Sequence, residues 1–374
     1  MKKSGVSRRG FLSSAAGLAI AAGAENVAFG ESLAPAGVAN SDATESATAP
    51  APGISGQGRM KFRVKHNSSL LPAAAQKVLV KAHGGFAVDR RPGRGETYFF
   101  LPGAGILRIA PDLNSIRLLD TADAMRRVNL HDTTLWYDPT GAPFLIFPAN
   151  EAGKIFTVDL NGKLLSTLDA PPPDHDFDEP EVRDYFQGGG NFAPTGATYL
   201  DGLYYVSTGY SKLDYVLTAR VTSPSQVEWH DLAFGGKGDG QSQFQTAHAI
   251  TVHPGSKRLD VTDRPHSQIK QFSRYGHYLS ALKCPAGSLP CSIDYLDQYA
   301  LIPTLVGPDP GKGAPIYLYE HDRLVSTIFP QADLGLANFK HNHKAVLHRA
   351  GDSLCIVVQA WNPGDFAILE QVME

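Results

Sequence analysis

Six short segments of this chain open on side chains with chemical capacity: His83 in HGGFAVD, His131 in HDTTLWYD, Thr195 in TGATYLD, His248 in HAITV, Cys291 in CSIDYLD and His343 in HKAVLH. Four of the six positions are histidine in a chain with 13 histidines among 374 residues, so composition alone is a poor explanation. Neutral imidazoles carried on separate strands suit Zn²⁺ or another borderline divalent ion, and three of them leave a coordination position free for water or substrate. His131, His248 and His343 are the candidate metal ligands. His83 would make a fourth, and a four-histidine set suits redox-active iron or copper as the alternative to zinc. Cys291, if reduced, is a further donor. The competing reading is a set of core imidazoles bonded to backbone at the crowded mouth of a channel.

Strands must position these residues. From 60 onward no stretch keeps a sustained helical period; short alternating segments recur at spacings of about fifty residues, separated by Gly, Pro, Asp and Asn. The clearest copy reads FGGKG, then AHAITV, then LDVTDR, then QIKQF: a glycine-rich opening, an inner strand, a second strand ending in Asp, and a third strand with Ile269 and Phe272. It resembles an NHL-type blade. Second strands follow the other inner strands as ETYFFLPG, APFLIFPAN, LYYVSTGY, YALIPTL and SLCIVVQAW. The expected fold is all-β, a six-bladed β-propeller occupying 59–374. Its last blade lacks an outer strand, and the spare strand at 60–65 (MKFRVK) is expected to complete that blade and close the ring.

Inner strands line the channel of a propeller, so the six opening residues form a ring on one face. The second strand runs back to that face. Its end residues therefore crown the ring: Pro102-Gly103, Asn150, Tyr210, Asp263-Arg264, Thr304 and Trp361-Asn362. The segment 171–193 is long enough to act as a rim or lid there. A small-molecule or peptide substrate is expected at this top face. The plainer readings are packing of Tyr210 among Tyr204, Tyr205 and Tyr215, and a surface pair of Arg264 with Asp263.

The remaining features bound the setting. With 34 basic and 37 acidic residues the formal charge is -3, which offers no electrostatic footprint for nucleic acid or an anionic membrane. Ser7-Arg8-Arg9-Gly10-Phe11-Leu12 ahead of a short apolar run reads as a twin-arginine signal over 1–30, which predicts a periplasmic or secreted protein. That run is too short and too rich in Ala and Gly for a membrane span. Residues 31–58, rich in Ala, Ser, Pro and Gly, read as a disordered linker. Cys284 and Cys291 are close enough in sequence to form a disulfide, whereas Cys355 sits in an apolar run as a buried thiol. The acidic run at 174–184 offers oxygen ligands of the kind calcium takes, or else a solvated loop.

Two consecutive blades, PTGATYLDGLYYVSTGY (194–210) and AHAITVHPGSKRLDVTDRPHSQIKQF (247–272), resemble the lyase domain that completes peptide amidation, peptidyl-α-hydroxyglycine α-amidating lyase. The resemblance implies a catalytic tyrosine at Tyr210, an active-site arginine at Arg264 and zinc histidines at His131, His248 and His343. It also implies the reaction: a carbinolamide collapses to a carbonyl and an amide, with Tyr210 as base. The sequence departs from the family where a second arginine is expected, at Leu101-Pro102-Gly103, and in lacking a proline before each zinc histidine.

Overall fold

A strand covered on both faces reads as a continuous apolar run, and a strand with one wet face alternates. Both kinds occur here. Thr97–Leu101 and Tyr299–Pro303 are apolar runs buried throughout, Leu259–Asp263 and Gln268–Phe272 are buried with polar side chains that find partners, and Tyr278–Lys283 is largely open to solvent. The computed structural model describes residues 53–373, and in it these strands form six antiparallel sheets. Five sheets take four consecutive strands each, and the sixth takes five. The inner strands adjoin one another around a central channel, and apolar clusters fill the spaces between neighbouring sheets. The fold is a six-bladed β-propeller.

Blade six is built from both ends of the described chain. Asn342–Ala350, Ser353–Ala360 and Asp365–Gln371 are followed by Met60–Asn67, which pairs antiparallel with Asp365–Gln371 (Phe62 opposite Gln371, Val64 opposite Leu369). The expected closure therefore holds. It also begins earlier than composition suggests, because Ser55–Gln57, within the expected linker, is a strand paired with Met60–Phe62. Small residues are what this contact needs. A Cβ on Gly56 would lie 2.3 Å from the Met60 carbonyl, and the Ser55 hydroxyl donates to Asp333 at 2.6 Å. The signal segment at 1–30 and the linker up to residue 52 lie outside the described residues.

The 171–193 segment contains a helix, Pro180–Gln187, that no periodicity announced. Two turns bury only Val182 and Phe186, too few apolar positions to register as a period, and Pro180 starts the helix where its missing N–H costs nothing. The helix packs beside Phe177 and Phe192 against blades two and three as a rim. Among the described residues no helix is long and apolar enough to cross a membrane.

Candidate metal centre

The ring residues are fixed to their own blades before the inner strands proper begin. Backbone N–H groups of His131, Thr195 and Cys291 donate to the carbonyls of Pro148, Ser207 and Pro303 at 2.8, 2.8 and 2.9 Å. At His248 and His343 the ladder is bulged, with register shifts between Ala247 and Ile250 and between Asn342 and Lys344. A bulge re-aims a side chain. Here it turns both imidazoles into the channel, and the Thr262 hydroxyl takes up the Ala249 N–H that the ladder releases, at 2.8 Å.

Three imidazoles are oriented in the same way. His131 Nδ1 donates to the Thr195 carbonyl at 2.6 Å, His248 Nδ1 to that of Cys291 at 2.7 Å, and His343 Nδ1 to that of Gly84 at 3.0 Å. With the proton on Nδ1, each Nε2 presents a lone pair to the channel, as the ring orientation of a metal-ligating histidine requires. The Nε2 atoms of His131 and His343 face each other at 3.3 Å. Two lone pairs at that distance repel, and a cation between them removes the repulsion. Two nitrogens on one tetrahedral zinc also lie about 3.3 Å apart. The residues present therefore fit a divalent ion.

His83 joins this pair: one ring nitrogen from each of His83, His131 and His343 lies within 4.8 Å of the others, and among the described residues this is the group of metal-ligating side chains that converges. Its Nδ1 lies 2.9 Å from the Asn129 amide, whose oxygen is buried without a partner. Turning that amide over together with the amide of Asn150, whose oxygen it meets at 3.1 Å, gives the orphaned oxygen the His83 Nδ1–H and frees Nε2 for a metal. His248 stands against the same group, with its ring 4.7 Å from that of His131, but its Nε2 takes an N–H from Arg264 at 2.7 Å. To ligate, His248 must exchange that N–H for the ion.

Burial and mutual proximity keep these imidazoles neutral. Burial, then the Arg264 charge, pushes His83 down to about 3. His131, His248 and His343 are held well below the ordinary histidine range by burial and, behind it, by Arg264 and by neighbouring imidazoles. Neutral imidazole is the form that binds metal.

The crown is assembled as strand polarity requires. Tyr210 stands at the mouth, 39% exposed, edge-on to His131 with ring centroids 5.0 Å apart. Arg264 lies beneath it at 7% exposure and donates to Tyr210 Oη at 3.1 Å, His248 Nε2 at 2.7 Å and Cys291 Sγ at 3.1 Å. It does not pair with Asp263. That carboxylate turns the other way, to Lys270 at 3.2 Å and His266 at 2.6 Å, which leaves the guanidinium without a carboxylate. Trp361 stacks on His83 at 5.2 Å, whereas Thr304 is turned to a backbone carbonyl.

The disulfide expectation is corrected. Cys284 and Cys291 are free thiols: Cys284 follows the outer strand of blade four, Cys291 opens the channel side of blade five, and the connection carries the chain from rim to axis. Burial pushes Cys284 up to about 12 and raises Cys291 as well, against the opposing pull of Arg264. Among the described residues the carboxylates at 174–184 form no converging group: Asp176 pairs with Arg183 at 3.6 Å and Glu181 accepts from Tyr215 at 3.0 Å. No local pattern signals the buried ion pair of Asp132 with Lys344, which links residues distant along the chain. A cavity of about 450 Å³ opens at the other end of the channel, lined by residues such as Thr134, Thr198, Thr251 and Lys344 and by none of the four histidines.

No protein-family model matches this chain, and no curated protein matches it. Similar solved structures include a chain of the mitotic checkpoint complex, 12% identical over 91% of this chain and 100% of that one, with a TM-score of 0.51. A streptogramin B lyase is 13% identical over 83% of this chain and 97% of that chain, with a TM-score of 0.48. Hydrazine synthase of Kuenenia stuttgartiensis is 11% identical over 76% and 78%, with a TM-score of 0.47. At such identities the likeness is one of fold.

Proposed function

We propose that this protein is a metal-dependent lyase that cleaves an α-hydroxylated amide, in the manner of the peptidyl-α-hydroxyglycine α-amidating lyases that its NHL-type blades resemble. The observation that carries this reading is Arg264, a buried guanidinium without a carboxylate, donating to Tyr210 Oη at 3.1 Å beside the converging imidazoles. Burying an unpaired charge is costly, so such a group is placed for an anion or for negative charge that develops during reaction.

A divalent ion, zinc first, held by the imidazoles would supply Lewis acidity to a substrate oxygen. Tyr210 Oη takes the proton of the substrate hydroxyl. The electron pair of that O–H bond becomes the second C–O bond, and the C–N bond breaks with its pair leaving on nitrogen. The nitrogen takes a proton and departs as the amide, and the other product is an aldehyde, glyoxylate where the substrate is an α-hydroxyglycine. Arg264 holds the negative charge that passes through Tyr210 and the substrate oxygen. The exposed edge of Tyr210 admits a small-molecule or peptide substrate from the top face. Export through the signal at 1–30 belongs to the same proposal, since the twin-arginine route carries proteins already folded.

The test is release of glyoxylate from an N-acyl-α-hydroxyglycine. Tyr210→Phe is expected to lower turnover by about 10²- to 10⁴-fold and to leave the bound metal unchanged; undiminished turnover sinks the role of Tyr210. One observation favours a second reading. His83 belongs to the converging group, and His248, once it exchanges the Arg264 N–H for the ion, would make a fourth imidazole, a set suited to iron or copper. Elemental analysis decides, because one zinc per chain argues against redox chemistry, and no stoichiometric metal leaves a non-catalytic binding propeller.

A further inference from the structure

The three histidines that converge come from blades six, one and two, which are consecutive around the ring. The residue after His131 is Asp132 and the residue after His343 is Lys344. Lys344 Nζ lies 2.7 Å from Asp132 Oδ1 and 3.0 Å from Oδ2, with the two residues 6% and 2% exposed. Blades two and six do not touch through their sheets, because blade one stands between them. The ion pair crosses blade one at Gly84-Gly85, where side chains are missing. A Cβ on Gly85 would fall 2.1 Å from Asp132 Oδ1, and the Gly84 carbonyl is the acceptor that orients His343.

We infer that the Asp132–Lys344 ion pair is a positioning device that sets the separation of the metal-binding imidazoles by tying blade two to blade six across the glycines of blade one. A buried ion pair is a poor source of stability, since an apolar pair of similar volume commonly does as well or better. What it supplies is a fixed geometry. A carboxylate held by both oxygens, with the Thr133 N–H on Oδ1 at 2.7 Å, pins each strand one residue from its imidazole. Lys344 also lines the cavity at the far end of the channel, so the pair forms the floor beneath the imidazoles.

This inference rests on the metal reading above, and one experiment separates the two. Zinc affinity is measured by chelator competition, and the ligand-field spectrum with Co²⁺, for the wild type and for the double variant Asp132→Leu/Lys344→Met. The expected result is zinc binding weaker by about 10- to 100-fold, as for loss of other groups that orient metal ligands, with a shifted Co²⁺ spectrum and an unchanged or raised melting temperature of the metal-free protein. Asp132→Asn, which keeps the shape and removes the charge, is expected to act in the same direction and serves if the double variant does not fold. Wild-type affinity and spectrum in either variant overturn the inference and leave the metal reading standing. A wild type that takes up neither zinc nor cobalt overturns both.

Discussion

Replacing Arg264 with Met separates catalysis from stability more sharply than any other single change. The guanidinium is 7% exposed and donates to Tyr210, His248 and Cys291, with no carboxylate to offset its charge. Two terms bear on folding. Losing the donor strips a buried acceptor, His248 Nε2, at a cost of about 1–3 kcal/mol. Removing a buried, unpaired cation relieves a desolvation penalty that is also several kcal/mol. They oppose each other, so the melting temperature should move little. Catalysis has no such compensation, because a preorganised donor aimed at developing charge is worth roughly 10²- to 10³-fold in turnover. The assay is glyoxylate release alongside thermal melts of the same preparations. An Arg264→Met protein that keeps its turnover, or one whose lost turnover is matched by a collapse in melting temperature, would refute the assignment of this buried charge to the reaction.

Three further outcomes are expected. Because the ring histidines are neutral when folded and take protons near about 6.5 when unfolded, the unfolded chain binds more protons as pH falls, and stability falls with it. For His83 this loss is about 1.4 kcal/mol per pH unit down to its folded value of about 3. Asp132, Asp214 and Asp260, all raised by burial, oppose this, Asp214 below about 6, but as three groups against six histidines held low, the four of the ring with His253 and His348. Denaturant midpoints of chelator-treated protein from about pH 7.5 to 4.5 should therefore decline, and a flat profile contradicts the neutral-histidine ring. Phe62 is fully buried on the strand that closes the ring, so Phe62→Ala should cost about 3–5 kcal/mol, read as a lowered urea midpoint. Finally, protein denatured without reductant should react with a thiol reagent at all three cysteines; a single reactive thiol would restore the Cys284–Cys291 bond.

Much of the propeller was legible because its repeat is written in local terms. ETYFFLPG, LDVTDR and SLCIVVQAW are strands because both of their faces are covered, and the Gly, Asp and Asn between them turn the chain. The spare strand at 60–65 was legible too, as the element missing from blade six. The helix Pro180–Gln187 was not, because two buried side chains make no period, and the strand Ser55–Gln57 was hidden by the same small residues that let it pack. At the site, the positions of the ring and crown followed from strand polarity alone.

Which residues face the channel mouth is set by the local chain: His83, His131, His248 and His343 at the openings of inner strands, and Tyr210 and Arg264 at the ends of second strands. Strand direction is a property of the local chain, and counting along a repeat recovers it. Only the closed ring decided who meets whom. It brought His83 to His131 and His343, gave His248 to Arg264, parted Cys284 from Cys291, turned Asp263 away from Arg264, and joined Asp132 to Lys344 across two glycines. The Asp132–Lys344 contact spans 212 residues of sequence and depends on closure of a ring by its own two ends, so no local pattern could carry it.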